Sequence, residues 1–217
     1  MRKILGIFCI LLGICCLISS LGLIAYNRWE EENAQDASRT ILQDVRETMP
    51  DFKHIENRPD ETIHMEPHRE ENSQDNSPKI SMEIPQEMPT AQVDGYDCIG
   101  VLSIPVLELE LPVLTDWSYE KLKVAPCLYF GSYYEPNFVI AAHNYQSHFG
   151  RLSELQPKDL ILFTDISGTA YCYEVVLLET LPADATEEMI TSGFDLSLYT
   201  CTLGGANRVT VRCNVVE

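Results

Sequence analysis

The chain has 217 residues and a formal charge of −18. That length allows one ordinary domain plus appendages. The acidity excludes a nucleic-acid surface, which needs clustered Lys and Arg.

The first 29 residues carry Arg2, Lys3 and Arg28 and no acid. Between Ile4 and Asn27 the chain is uncharged and largely apolar. About 20 such residues span a bilayer as a helix. A cleaved signal peptide is the competing reading, but its apolar core runs to only about 7–15 residues. We expect residues 1–29 to be a cytoplasmic tip and transmembrane anchor, with Tyr26 and Trp29 at the outer interface and everything C-terminal outside the cell. Cys9, Cys15 and Cys16 lie in the span as small apolar residues.

Residues 30–49 repeat apolar side chains at helical spacing, through Ala34, Ala37, Ile41, Val45 and Met49. They are expected to form a weakly amphipathic juxtamembrane helix. From Pro50 the composition turns to Pro, Glu, Asn, Gln and Ser. Such a segment cannot bury enough apolar surface to offset its ordering entropy, so residues 50–94 are expected to be a disordered acidic spacer. His54, His64 and His68 fall within it and are expected to be solvated rather than to hold a metal.

Residues 95–217 form the expected folded domain. "CIGVLSIPVLELELPVL" suggests two short strands broken by Pro105 and Pro112. "NFVIAAH", "DLILFTD", "TAYCYEVVLLET", "LSLYTC" and "RVTVRCNVV" are five further strand candidates, with Asp165, Ser167 and Gly168 as a turn. "SYEKLKVAP", "GRLSELQP" and "ATEEMITSG" suggest short helical turns, the last opened by Thr186. Many short strands with few helices predict a mostly β fold, a closed barrel or a sandwich.

The domain holds five cysteines, Cys98, Cys127, Cys172, Cys201 and Cys213, an odd number that leaves at least one thiol free or paired with another chain. Cys201 ends an apolar strand candidate, and His143 ends another. Both sit where a rigid element emerges into a loop. A thiolate attacks carbonyl carbon, and a nearby imidazolium or guanidinium favours that form. Arg208 could supply the charge or donate hydrogen bonds to an oxyanion. Arg212 competes for that role, because both arginines hold even positions of one strand and share a face. His148 lacks the strand-end position and is expected to be a loop residue.

The order of these motifs resembles the sortase family, the membrane-anchored cysteine transpeptidases of Gram-positive bacteria. "IGVLSIPVLELELPV" is similar to the family's first two strands, "VIAAHNYQSHFGRLSEL" to the segment carrying its catalytic histidine, and "LSLYTCTLGGANRVTVRC" to its Leu-x-Thr-Cys signature followed by the arginine strand. Ala142 stands before the histidine where family members often have glycine. The resemblance implies a closed sortase-like β-barrel with Cys201 as nucleophile, His143 as acid/base and Arg208 as oxyanion or substrate clamp. Thr200 and Asn144, beside the thiol and the imidazole in sequence, are the expected substrate-contacting positions.

The implied reaction cleaves a Leu-Pro-x-Thr-Gly-like sorting signal through a thioacyl enzyme and passes the acyl group to an amine. The implied partners are surface proteins carrying a C-terminal sorting signal, and an amine of a cell-wall precursor or another protein. No metal or organic cofactor is required, since the thiol supplies the nucleophile. Two rivals keep the same residues: a thiol protease with water as acceptor, and a non-catalytic extracellular barrel that binds peptide.

Overall fold

A computed structural model of the chain describes residues 2–49 and 87–216. The three spacer histidines, and most of the expected spacer, lie outside the described residues.

The N-terminal apolar run and the amphipathic stretch form one helix, α1 (Arg2–Thr48). At 1.5 Å per residue it is about 70 Å long, more than twice the hydrocarbon thickness of a bilayer. It stops two residues before Pro50, as the steric restriction on pre-proline residues predicts. From Ile10 to Trp29 its apolar side chains are exposed all round. It is the one helix among the described residues long and apolar enough to cross a membrane. Further along, Ala34, Ser38, Ile41, Leu42, Val45 and Met49 are buried. Ile41, Leu42, Val45 and Met49 pack against Val93, Cys98, Val101, Leu114, Ala125 and Cys127 of the C-terminal domain. The buried face of α1 runs through Ser38 rather than Ala37, and its partner is the chain's own barrel.

Nine strands follow: β1 (Ala91–Val93), β2 (Tyr96–Ile104), β3 (Leu109–Leu114), β4 (Cys127–Phe130), β5 (Phe138–Ala141), β6 (Leu160–Asp165), β7 (Ala170–Pro182), β8 (Leu196–Cys201) and β9 (Asn207–Val215). They run in the order β1-β2-β3-β4-β5-β8-β9-β7-β6, and a β2–β6 pairing joins the ends. Strands β2 to β9 thus make a closed eight-stranded barrel, and β1 is appended to β2. Closure removes the exposed edges that an open sheet would present. The seam depends on Gly100. A Cβ there would stand 2.2 Å from the Thr164 carbonyl oxygen across the β2–β6 pair.

Two strands escape the sequence reading. Strand β1 pairs Val93 with Tyr96 across Asp94 and Gly95, which have φ of 47° and 81°. Positive φ at both central residues is the two-residue hairpin geometry that Asp-Gly favours. The ordered domain therefore begins earlier than Gly95, and residues 91–93 are strand rather than spacer. Strand β4 is only four residues long and follows directly on Pro126, so its pattern is too short to register. The short helices fall where expected: α2 (Tyr119–Leu122), a 3₁₀ turn at Leu152–Glu154, and α3 (Thr186–Ile190). Helix α3 is capped from Ala185, without a side-chain cap, and Thr186 is its first helical residue.

Inward-facing Leu102, Ile104, Val113, Phe138, Ile140, Phe163, Leu198 and Val211 fill the barrel. Burial of this apolar set, at about 25 cal/mol per Å², is what holds the strands in register.

Candidate active site

Strands β5 and β8 run parallel side by side, with Ala141 opposite Tyr199. Two residues further along each chain come His143 and Cys201. The parallel register thus delivers the imidazole and the thiol to the same end of the barrel. The Ala142 N–H donates to the Tyr199 carbonyl at 3.2 Å, carrying the pairing one step beyond the strand. The Thr200 hydroxyl donates to the Ala142 carbonyl at 2.8 Å. Strand β9 returns antiparallel to β8 with Arg208 directly opposite Cys201. Cys201, His143 and Arg208 all line one groove.

One wall of that groove is aromatic. Trp117 and Tyr129 lie 5.7 Å apart between ring centroids, and Tyr129 meets Tyr199 edge-on at 5.2 Å. Pro182, Ala185, Thr186 and Met189, from the end of β7 and from α3, form the other wall. The site joins an apolar trough to a nucleophile, a base and a guanidinium. That combination can hold an extended peptide and attack one of its carbonyls.

Burial separates Cys201 from Cys98, Cys127 and Cys213. Desolvation pushes Cys98, Cys127 and Cys213 up to about 12 and also raises Cys172. The three buried thiols, Cys98, Cys127 and Cys213, remain protonated and unreactive, whereas Cys172 is half-buried and lies outside the groove. Cys201 is half-buried and opens into the groove. All five thiols of the domain are unbridged. Burial also lowers His143 below the ordinary histidine value; the Glu30 carboxylate opposes that shift and the Lys123 ammonium adds to it.

The two arginines share a face, as alternation requires, but they differ in surroundings. Arg208 is partly exposed, and its Nη1 donates to the carbonyls of Gly205 and Asn207 at 3.0 and 3.1 Å. Arg212 is buried beneath α3. It pairs with Glu179 at 2.7 Å and donates to the Met189 and Glu188 carbonyls and to Ser197 Oγ. Its fork is fully engaged in structure.

The expected substrate contacts fare less well. Thr200 is buried, faces away from the groove and ties β8 to the end of β5. Asn144 does not line the groove. His148, expected in a loop, is in a loop but fully buried. Neither of its ring nitrogens has a hydrogen-bond partner among the described residues, and desolvation takes it down to about 4.

Sequence reasoning missed the aromatic wall and Tyr145, whose ring stacks on His143 at 4.8 Å. Tyr199 was within reach of it, because it stands two residues before Cys201 on the same strand face.

No curated protein matches the chain. Solved structures with the same fold include sortase A from Corynebacterium diphtheriae, at 20% identity and a TM-score of 0.51, over 56% of this chain and 62% of that one. Sortase C from Clostridium perfringens matches at 22% identity and a TM-score of 0.50, over 56% of this chain and 71% of that one. Sortase C from Streptococcus pneumoniae matches at 24% and 0.50, over 55% and 69%. The chain thus spans a little under two thirds of the first of these. The sortase domain model matches residues 102–216, more than half of the chain, and the chain therefore belongs to the sortase family.

Proposed function

We propose that the protein is a membrane-anchored cysteine transpeptidase that processes a Leu-Pro-x-Thr-Gly-like sorting signal. The observation that carries this reading is the convergence of Cys201, His143 and Arg208 on one apolar groove at one end of the barrel.

The thiolate of Cys201 attacks the carbonyl carbon of the Thr–Gly bond, forming a C–S bond and an oxyanion. The Arg208 guanidinium swings from its own turn carbonyls to donate hydrogen bonds to that oxyanion. The C–N bond then breaks, and His143, as imidazolium, gives its proton to the leaving amine. An amine of a cell-wall precursor or of another protein attacks the thioester, His143 takes its proton, and Cys201 is released as thiolate. The Leu-Pro segment would lie along Trp117 and Tyr129, facing α3. The basic tip at Arg2 and Lys3 stays in the cytoplasm, which puts the barrel outside.

Incubation of the protein with a sorting peptide, with and without an amine acceptor, tests the reading. An acceptor-dependent product is expected. Cleavage that ignores the acceptor would mark a thiol protease, and neither product would mark a binding module.

A further inference from the structure

The loop that carries His143 is tightly folded on itself. The Tyr145 carbonyl accepts the N–H groups of His148 and Gly150 at 3.0 and 2.8 Å, and the His143 carbonyl accepts that of Phe149 at 3.1 Å. Gly150 is required there, because a Cβ would stand 2.6 Å from the Asn144 carbonyl oxygen. The Gln146 N–H is turned outward, and it meets α1. Glu31 Oε1 accepts it at 2.6 Å, from 115 residues away in sequence. Gln146 directly follows Tyr145, and the Tyr145 ring stacks on the His143 imidazole at an interplanar angle of 30°. On the same turn of α1, Glu30 pairs with Lys123 at 3.4 Å, next in sequence to Leu122, which lines the groove.

The groups facing His143 are Glu30 of α1, Lys123 after α2, Tyr145 and His148 of its own loop, Cys201 of β8 and Arg208 of β9. Among the described residues, the hydrogen bond to the outward Gln146 N–H comes from the anchor helix.

We propose that Glu31 is a positioning residue for His143: the turn of α1 nearest the apolar span clamps the histidine loop, so the helix that enters the membrane also completes the catalytic unit. This rests on the reading of Cys201, His143 and Arg208 as a transpeptidase site.

The test uses the full chain in lipid nanodiscs, a Leu-Pro-Ala-Thr-Gly peptide and hydroxylamine as amine acceptor. Glu31→Ala removes the acceptor of the Gln146 N–H. It is expected to lower kcat between about 10- and 100-fold, the range a displaced catalytic group produces, with KM close to that of the unaltered protein. Glu31→Gln keeps an acceptor oxygen at the same reach and should restore most of kcat. Glu47→Ala, on an exposed face of the same helix, should leave kcat unchanged. The imidazole NMR resonances of His143 report the same position without turnover. Glu31→Ala should move them and Glu31→Gln should not. Unmoved His143 resonances, or equal kcat in Glu31→Ala and Glu47→Ala, would overturn the clamp. Absence of any hydroxamate from the unaltered protein, with His143 resonances still displaced in Glu31→Ala, would overturn the transpeptidase reading and support the clamp.

Discussion

Two guanidinium groups four residues apart on one strand face illustrate how surroundings assign roles. Arg212 is enclosed by Glu179, Ser197 and the carbonyls of α3, whereas Arg208 reaches only the carbonyls of its own turn. Breaking a buried ion pair leaves an uncompensated charge, so Arg212→Ala should lower unfolding stability by about 3 kcal/mol. That is the low end of the usual cost, since Glu179 is about one-third exposed. Urea unfolding measures it. Turnover of the folded fraction should hardly change. Arg208→Ala should leave the urea midpoint alone and lower kcat by about 10²–10³-fold. Arg208→Lys should restore little, because an ammonium lacks the planar fork. A larger loss of turnover in Arg212→Ala would exchange the two roles. His148 adds a pH dependence. Its folded-state value of about 4 lies below the ordinary 6.5, so the unfolded chain binds the extra proton. Its contribution is complete above pH 6.5 and is lost as the pH falls toward 4. Over that window the unaltered protein should lose up to about 3 kcal/mol that His148→Leu does not lose, as paired urea titrations would show. Parallel acid-side curves would contradict the assignment.

At the scale of elements, α1 joins two environments. Its first half is apolar on every side, and its second half buries one stripe on the barrel. Val45 is completely buried at the centre of that stripe. Val45→Asp would place an unpaired charge there, at a cost of several kcal/mol unless the helix lets go. The expected result is fast amide hydrogen exchange from Ser38 to Met49 with the strands still protected. Slow exchange there would mean that the stripe does not depend on docking. The elements also show what a sequence exposes. The strands leading to His143 and Cys201 were legible because runs such as "NFVIAAH" and "LSLYTC" combine β propensity with a polar terminus. Strand β1 was signalled by Asp94-Gly95, a hairpin dipeptide, but its three residues sit against a spacer-like composition. The fate of the 34–49 stripe was not legible, since periodicity reveals an apolar face without naming what covers it.

For the whole molecule, the second half of α1 docks on the barrel and reaches the loop that carries His143. Tyr26 and Trp29 lie within about a turn of Glu30 and Glu31, which contact Lys123 and the Gln146 N–H beside the site. In the proposed orientation, with the basic tip inside the cell, the groove would stand close to the outer surface of the bilayer. Protease added to intact protoplasts should remove the barrel, and full protection would reverse the orientation. The proposed site residues Cys201, His143 and Arg208 could be picked out because each lies at or near a strand end or faces one that does, and local pattern marks such positions. The aromatic wall, the Arg212 network and the Glu31 contact were not, because each depends on chain segments brought together only by closure of the barrel or docking of α1.

The central claim is that Cys201 carries the acyl group, and mass spectrometry of the enzyme mixed with a sorting peptide, quenched in acid before acceptor is added, tests it most directly. The expected result is a mass increase equal to the acyl fragment, mapped to the peptide containing Cys201, discharged by an amine and absent in Cys201→Ala together with all turnover. Turnover retained in Cys201→Ala, or an adduct mapped to Cys172, would contradict it.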